Sequence, residues 1–135
     1  EVVMSANKYF ILNNVKKIAA NLSLRDSIDD NALSPFFSTM KMLDFKDFTA
    51  YDSTMLAESI NIPLDKLNKT DYFKKQTSNI VGNIERDNND FIESFHKATK
   101  DMDKNSFSRL LAEATMQHSM KNNPEETKKK TLKLH

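Results

Sequence analysis

The sequence places a glutamate and a histidine three residues apart, at Glu93 and His96. In a helix this spacing puts both side chains on one face, where together they could hold a metal ion. A helical metal site of this kind needs a second such pair, and neither His118 nor His135 has a glutamate three positions before it. The sequence therefore predicts no metal site, and we interpret His96 as a half-exposed surface histidine.

The composition argues against several other chemistries. The 135 residues include a single glycine, Gly82, and no cysteine. Phosphate-binding loops and dinucleotide sites need several glycines, whereas zinc ribbons, iron–sulfur clusters and thiol nucleophiles need cysteine. No serine stands in the glycine-flanked turn that presents a nucleophile in hydrolases. The sequence therefore predicts a protein that is not an enzyme and binds no cofactor.

Residues 56–67 resemble the central part of a helix-turn-helix motif, and a DNA-binding interpretation of the motif would use residues 56–76. The small, turn and apolar residues at the characteristic offsets are Ala57, Asn61, Ile60, Ile62 and Leu67. The resemblance implies a second helix over Leu64–Gln76 that contacts DNA, although Thr70 stands where that helix normally buries an apolar side chain. The polar residues that this helix would offer to DNA are Lys66, Asn68, Lys69, Lys74, Lys75 and Gln76.

Apolar residues recur at helical spacing along most of the chain. We expect an all-α, single-domain bundle of four to five helices, antiparallel in the main, over residues 1–120. Residues 121–135 are polar, and we expect them to form a mobile tail. We predict the first helix at about Val2–Leu22 and the starts of two others at Ser34-Pro35 and Asp52-Ser53. The last helix is predicted to have its cap at Asn105-Ser106. Its core-facing residues are Leu110, Leu111 and Ala114.

The longest helical signal covers residues 71–102, where apolar positions step by three and four as in a near-heptad seam. The seam is interrupted at residues 87–90, where we expect a break with Asp90 as the cap of a new segment. Such a seam can serve the protein's own core or an interface with another helix. The interface candidates on it are Phe73, Ile80, Ile84, Phe91 and Phe95.

Charge and hydropathy limit the functional classes. Lys and Arg total 20 against 19 acidic residues, a net charge of +1, whereas proteins that bind nucleic acid usually carry a clear basic excess. The longest apolar run, residues 9–12, is too short to cross a membrane. We therefore expect a small non-enzymatic interaction protein, an adaptor, inhibitor or regulator, that binds a protein partner or itself through a helix face. A helix-turn-helix DNA-binding regulator is the alternative, and a cysteine-free chain favours a cytoplasmic location.

Overall fold

Six α-helices and two short 3₁₀ turns make up the regular structure of the protein. The computed structural model describes residues 2–122, and the side chains of residues 7–120. The α-helices are α1 (Val2–Ser23), α2 (Asp30–Met40), α3 (Asp52–Ser59), α4 (Asp71–Asp87), α5 (Asn89–Thr99) and α6 (Phe107–Asn122), and the 3₁₀ turns are Phe45–Asp47 and Leu64–Lys66. The described residues form one domain without strands, which confirms the all-α prediction with one helix more than expected. The predicted tail lies outside the described residues from position 123 onward.

The first helix is amphipathic, as its sequence predicts. Leu12 and Val15 are buried, whereas Lys16 and Lys17 are exposed on the outer side. The polar outer side means that α1 packs on the domain with one face only. Within the part of the chain that the structure describes, no helix combines the length and the apolar character that crossing a bilayer requires.

A cluster of phenylalanines joins α2, α4 and α6 in the core. Phe36 and Phe37 of α2 meet Phe73 of α4 and Phe107 of α6, with neighbouring ring centroids 5.4 to 6.3 Å apart in edge-to-face geometry. All four side chains are at least 97% buried. Edge-to-face aromatic pairs stabilise a core beyond the apolar area that they bury. This cluster therefore fixes the positions of the three helices relative to one another.

The predicted start of the second helix at Ser34-Pro35 is wrong, because α2 begins one turn earlier, at Asp30. Asp29 is the N-cap, and its carboxylate accepts a hydrogen bond of 2.9 Å from the Ala32 backbone N–H. Pro35 lies inside the helix with its ring exposed. Since proline has no N–H, the helix forgoes one backbone bond there, on its solvent side.

The predicted break in the long helical signal is present, and it separates α4 from α5 at Asn88. The predicted cap was Asp90, which is wrong, since the Asn88 side chain accepts from the Phe91 N–H at 3.2 Å. The amide nitrogen of Asn88 also donates to the carbonyl oxygens of Phe45 and Phe48, at 2.8 and 2.7 Å. A carboxylate could not make these last two bonds, because it has no hydrogen to donate.

The predicted helix over Leu64–Gln76 is wrong. Residues 64–66 form one 3₁₀ turn, and α4 begins only at Asp71, after Thr70 as its N-cap. The intervening backbone pairs with the loop after α1 instead, through Ile28 N–H to Lys66 O at 2.7 Å and Asn68 N–H to Ile28 O at 3.3 Å. These bonds use the backbone groups that a continuous helix would need internally.

The same segment is held on its other side by the loop before α6. The Leu64 N–H donates to Asn105 O and the Phe107 N–H donates to Ile62 O, both at 2.9 Å. The Ser106 hydroxyl donates to the Asn61 side-chain oxygen at 2.7 Å. Hydrogen bonds to two loops that are distant in sequence therefore hold the first part of the predicted second helix in a non-helical connection.

A buried ion pair joins α1 to the start of α3. The Lys8 Nζ lies 2.8 Å from Asp52 Oδ2, and the Asp52 side chain is fully buried. Asp52 also accepts from the Tyr9 hydroxyl at 3.0 Å and from the Thr49 backbone N–H at 2.8 Å. Burial acts to raise the pKa of Asp52, but the hydrogen bonds from Lys8, Thr49 and Tyr9 outweigh it, and the pKa lies below its ordinary value.

Gly82 lies inside α4, where glycine is the least favourable residue after proline. A methyl group placed on its Cα would meet no described atom within 4 Å, apart from its own helix backbone and chain neighbours. We therefore expect Gly82→Ala to raise the free energy of unfolding by about 0.5–1 kcal/mol, through the lower backbone entropy of the unfolded chain. Urea unfolding followed by circular dichroism measures this change, and a destabilised variant would contradict the prediction.

Candidate functional site

The five interface candidates on the near-heptad seam belong to the protein's own core. Their exposed fractions run from 0 to 3% for Phe73, Ile80, Ile84, Phe91 and Phe95. The α4 and α5 helices separate at Asn88, and the apolar residues on both sides of this break belong to the buried core. These side chains are too deeply buried to form a helix–helix interface along the seam, and the predicted interface is corrected accordingly.

The six candidate DNA-binding residues do not lie on one helix. Lys66 belongs to the 3₁₀ turn, and its ammonium group donates to the Ser23 carbonyl at 2.6 Å. Asn68 and Lys69 lie in the connection before α4, and the other three (Lys74, Lys75 and Gln76) lie within α4. The structure therefore divides the predicted set, and only part of it lies on a common helix.

Glu93 and His96 also take separate partners. His96 Nε2 lies 3.3 Å from Glu113 of α6, with its side chain 35% exposed, whereas Glu93 lies 3.9 Å from Lys97. Among the residues whose side chains the structure describes, no group of three or more potential metal ligands occurs.

A cleft between α4 and α6 brings together part of the predicted DNA-binding set and residues with no predicted role. It has a volume of about 620 Å³. The residues that line it are Lys69, Phe73, Lys74, Thr77, Ser78, Val81, Leu110, Ala114, Gln117 and His118. A volume of this size lies in the range of clefts that bind ligands in other proteins.

The two walls of the cleft run in the same direction, an exception to the antiparallel arrangement expected for most neighbours. Phe73 near the start of α4 meets Phe107 at the start of α6, with ring centroids 5.9 Å apart. Glu85 near the end of α4 is paired with His118 near the end of α6. The cleft therefore has two distinct ends, one beside the start of α4 and one beside His118.

The two walls of the cleft carry apolar side chains, and one end of the cleft is cationic. Val81, Leu110 and Ala114 contribute aliphatic surface, whereas Lys69 and Lys74 are exposed at the end where α4 starts. Among the described residues neither lysine has an acidic partner within ion-pair distance, and none of the described lining residues is acidic. The cleft therefore combines an apolar surface with local positive charge.

Thr77 adds an unsatisfied polar group to the α4 wall. Its side chain is 92% buried, and its hydroxyl oxygen has no hydrogen-bond partner among the described residues. A buried hydroxyl without a partner destabilises the free protein by about 1–3 kcal/mol.

The sequence pattern does not reveal the α6 wall of the cleft, because the apolar spacing of α6 predicts Leu110 and Ala114 as core residues. Both are only partly buried, since they sit at the edge of the apolar stripe of α6. Spacings of three and four on each helix mark the two walls, namely positions 74, 78 and 81 with 110, 114 and 117. The periodicity could not indicate that these two stripes flank an open cleft, because it carries no information on the distance between helices.

Fold and site together define a single-domain all-α protein with an open, partly cationic cleft between two parallel helices. Comparison of the chain with protein-family models, with curated proteins and with solved structures finds no match.

Proposed function

We propose that the protein is a non-enzymatic interaction domain that binds a protein partner in the cleft between α4 and α6. The observation that carries this proposal is the apolar surface of Leu110 and Ala114, which are partly exposed above the buried Val81 and lie beside exposed lysines. Apolar surface gains free energy when a partner covers it, by about 25 cal/mol for each Å² removed from water. The proposal keeps the function expected from the sequence and moves its surface from the seam to the cleft.

Binding fits this site better than catalysis does. Ser78 and the paired His118 and Glu85 are residue types that hydrolases use. Hydrolysis also needs free donors aimed at the developing oxyanion. The α4 wall beside Ser78 lies in mid-helix, where backbone N–H groups are already bonded within the helix. The α4 backbone beside Ser78 therefore supplies no oxyanion donor, and that role would fall to side chains such as Gln117 and Lys74.

Blocking the cleft with one bulky side chain tests the proposal. Sixteen-residue peptides that bind the full chain are first selected from a random display library. Ser78 is exposed and lines the cleft, so we expect Ser78→Trp to fill it and to weaken binding of the selected peptides on the order of tenfold or more, as loss of a central contact does. Asn79→Trp is the matched control, because Asn79 is exposed on the same helix but does not line the cleft.

Titration calorimetry measures the affinity of each variant for the selected peptides, and the comparison decides whether the cleft is the binding surface. Loss of binding in Ser78→Trp with near-normal binding in Asn79→Trp supports the cleft as the binding surface. Equal affinity in both variants, or a selection that yields no binder, contradicts the proposal. Titration of a labelled mixed-sequence DNA duplex at low salt tests the alternative function, which requires binding tighter than about 10⁻⁴ M that weakens steeply with salt.

A further inference from the structure

We infer that the segment accepted by the cleft is an amphipathic helix with acidic residues beside its apolar stripe. This inference rests on the proposed function and specifies the chemistry of the partner.

The shape of the cleft favours a helix over an extended peptide. Its α4 wall runs from Phe73 to Val81, which corresponds to about 12 Å, or two turns of a partner helix. Two parallel helices whose facing walls carry apolar side chains form the kind of groove that receives the apolar face of a third helix. An extended peptide that binds as an added β-strand would need a free sheet edge, and residues 2–122 contain no strand that could supply one.

The charge of the cleft specifies the polar side of the partner. Lys69 and Lys74 lie at the end where α4 begins, and their two charges outweigh the single carboxylate of Asp71 in the first turn of that helix. The other end holds His118, which is paired with Glu85. Complementarity therefore requires Asp or Glu on the partner near the two lysines, since like charges at that end would repel it.

Thr77 gives the partner a polar point of contact in the wall. Its hydroxyl is buried and without a hydrogen-bond partner among the described residues, although it lies between Phe73 and Val81 on the cleft side of α4. A partner side chain or carbonyl that reaches this hydroxyl, after a rotation about the Thr77 side-chain bond, would satisfy it. The Thr77 hydroxyl is thus an unsatisfied group in the free protein to which a bound partner can form a hydrogen bond.

Charge reversal in the cleft tests the inference with the peptides selected above as the probe. We expect these peptides to be rich in Asp and Glu beside apolar residues spaced by three and four. The double variant Lys69→Glu/Lys74→Glu is expected to bind them on the order of tenfold more weakly. Lys75→Glu is the matched control, because Lys75 is exposed next to Lys74 but does not line the cleft.

Two further arms identify the interaction as ionic and helical. Peptides whose acidic residues are changed to lysine should bind the double variant better than the original protein, and a central proline in the peptide should abolish binding. If Ser78→Trp blocks the peptides but the charge reversals have no effect, the inference is wrong and the proposed function stands. If Ser78→Trp does not block them, the proposed function itself fails.

Discussion

Replacing Phe107 by alanine is expected to lower the free energy of unfolding by about 3–5 kcal/mol. The Phe107 ring is 99% buried and meets Phe36, Phe37 and Phe73 within 6.3 Å between centroids. The truncation removes apolar contacts and leaves a cavity at the point where α2, α4 and α6 meet. Small domains are stable by only about 5–15 kcal/mol, so the variant should be close to unfolding at 37 °C.

Urea unfolding of this variant is best compared with Phe10→Ala. Phe10 is 65% exposed on α1, so its truncation should change stability by less than about 0.5 kcal/mol. Equal stability of the two variants would contradict the central role of the phenylalanine cluster.

Replacing Asp52 by asparagine is expected to lower the free energy of unfolding by about 3–5 kcal/mol at pH 7. The substitution removes the negative charge that neutralises Lys8, whose side chain is 90% buried. The remaining partners of Lys8 would be the amide oxygen introduced at position 52, the Asp47 carbonyl at 3.0 Å and the faces of the Tyr9 and Phe48 rings, none of which carries a full negative charge. Asp65→Asn is the control, because Asp65 is an exposed residue whose carboxylate makes no ion pair with the described residues.

The pH dependence of unfolding gives this prediction a second readout. The pKa of Asp52 is lower in the folded protein, so its ionised form contributes stability that is fully present above the unfolded pKa of about 3.9. That contribution is lost as the pH falls through the folded pKa. As the pH falls below about 4, the natural protein should therefore lose more stability than Asp52→Asn does. Parallel acid profiles would show that the ion pair does not stabilise the fold.

A double-mutant cycle separates the interaction free energy of the ion pair from the effects of the two single substitutions. Lys8→Met should also destabilise the protein, because it leaves Asp52 buried with only Tyr9 and Thr49 as partners. The double variant Lys8→Met/Asp52→Asn should be more stable than the sum of the two single effects predicts, since neither charge is then left unpaired. Additive effects would contradict direct coupling.

The sequence by itself determined the fold class and most of the helix positions. Apolar side chains at spacings of three and four decide which face of a helix is buried, as for Leu12 and Val15 in α1, whatever that face packs against. The break near Asn88 was visible as well, because a run of polar residues interrupts the stripe.

Only the tertiary structure decided where α2 begins, that residues 64–70 do not join α4, and where the candidate site lies. Residues 64–70 carry a helical pattern, yet their backbone groups bond to Ile28 and Asn105, each some 40 positions away. Periodicity records the preference of each segment alone, whereas these bonds depend on which loops folding brings together. The cleft has the same origin: the stripes of α4 and α6 are local, but the open space between them depends on how the two helices pack in the folded chain.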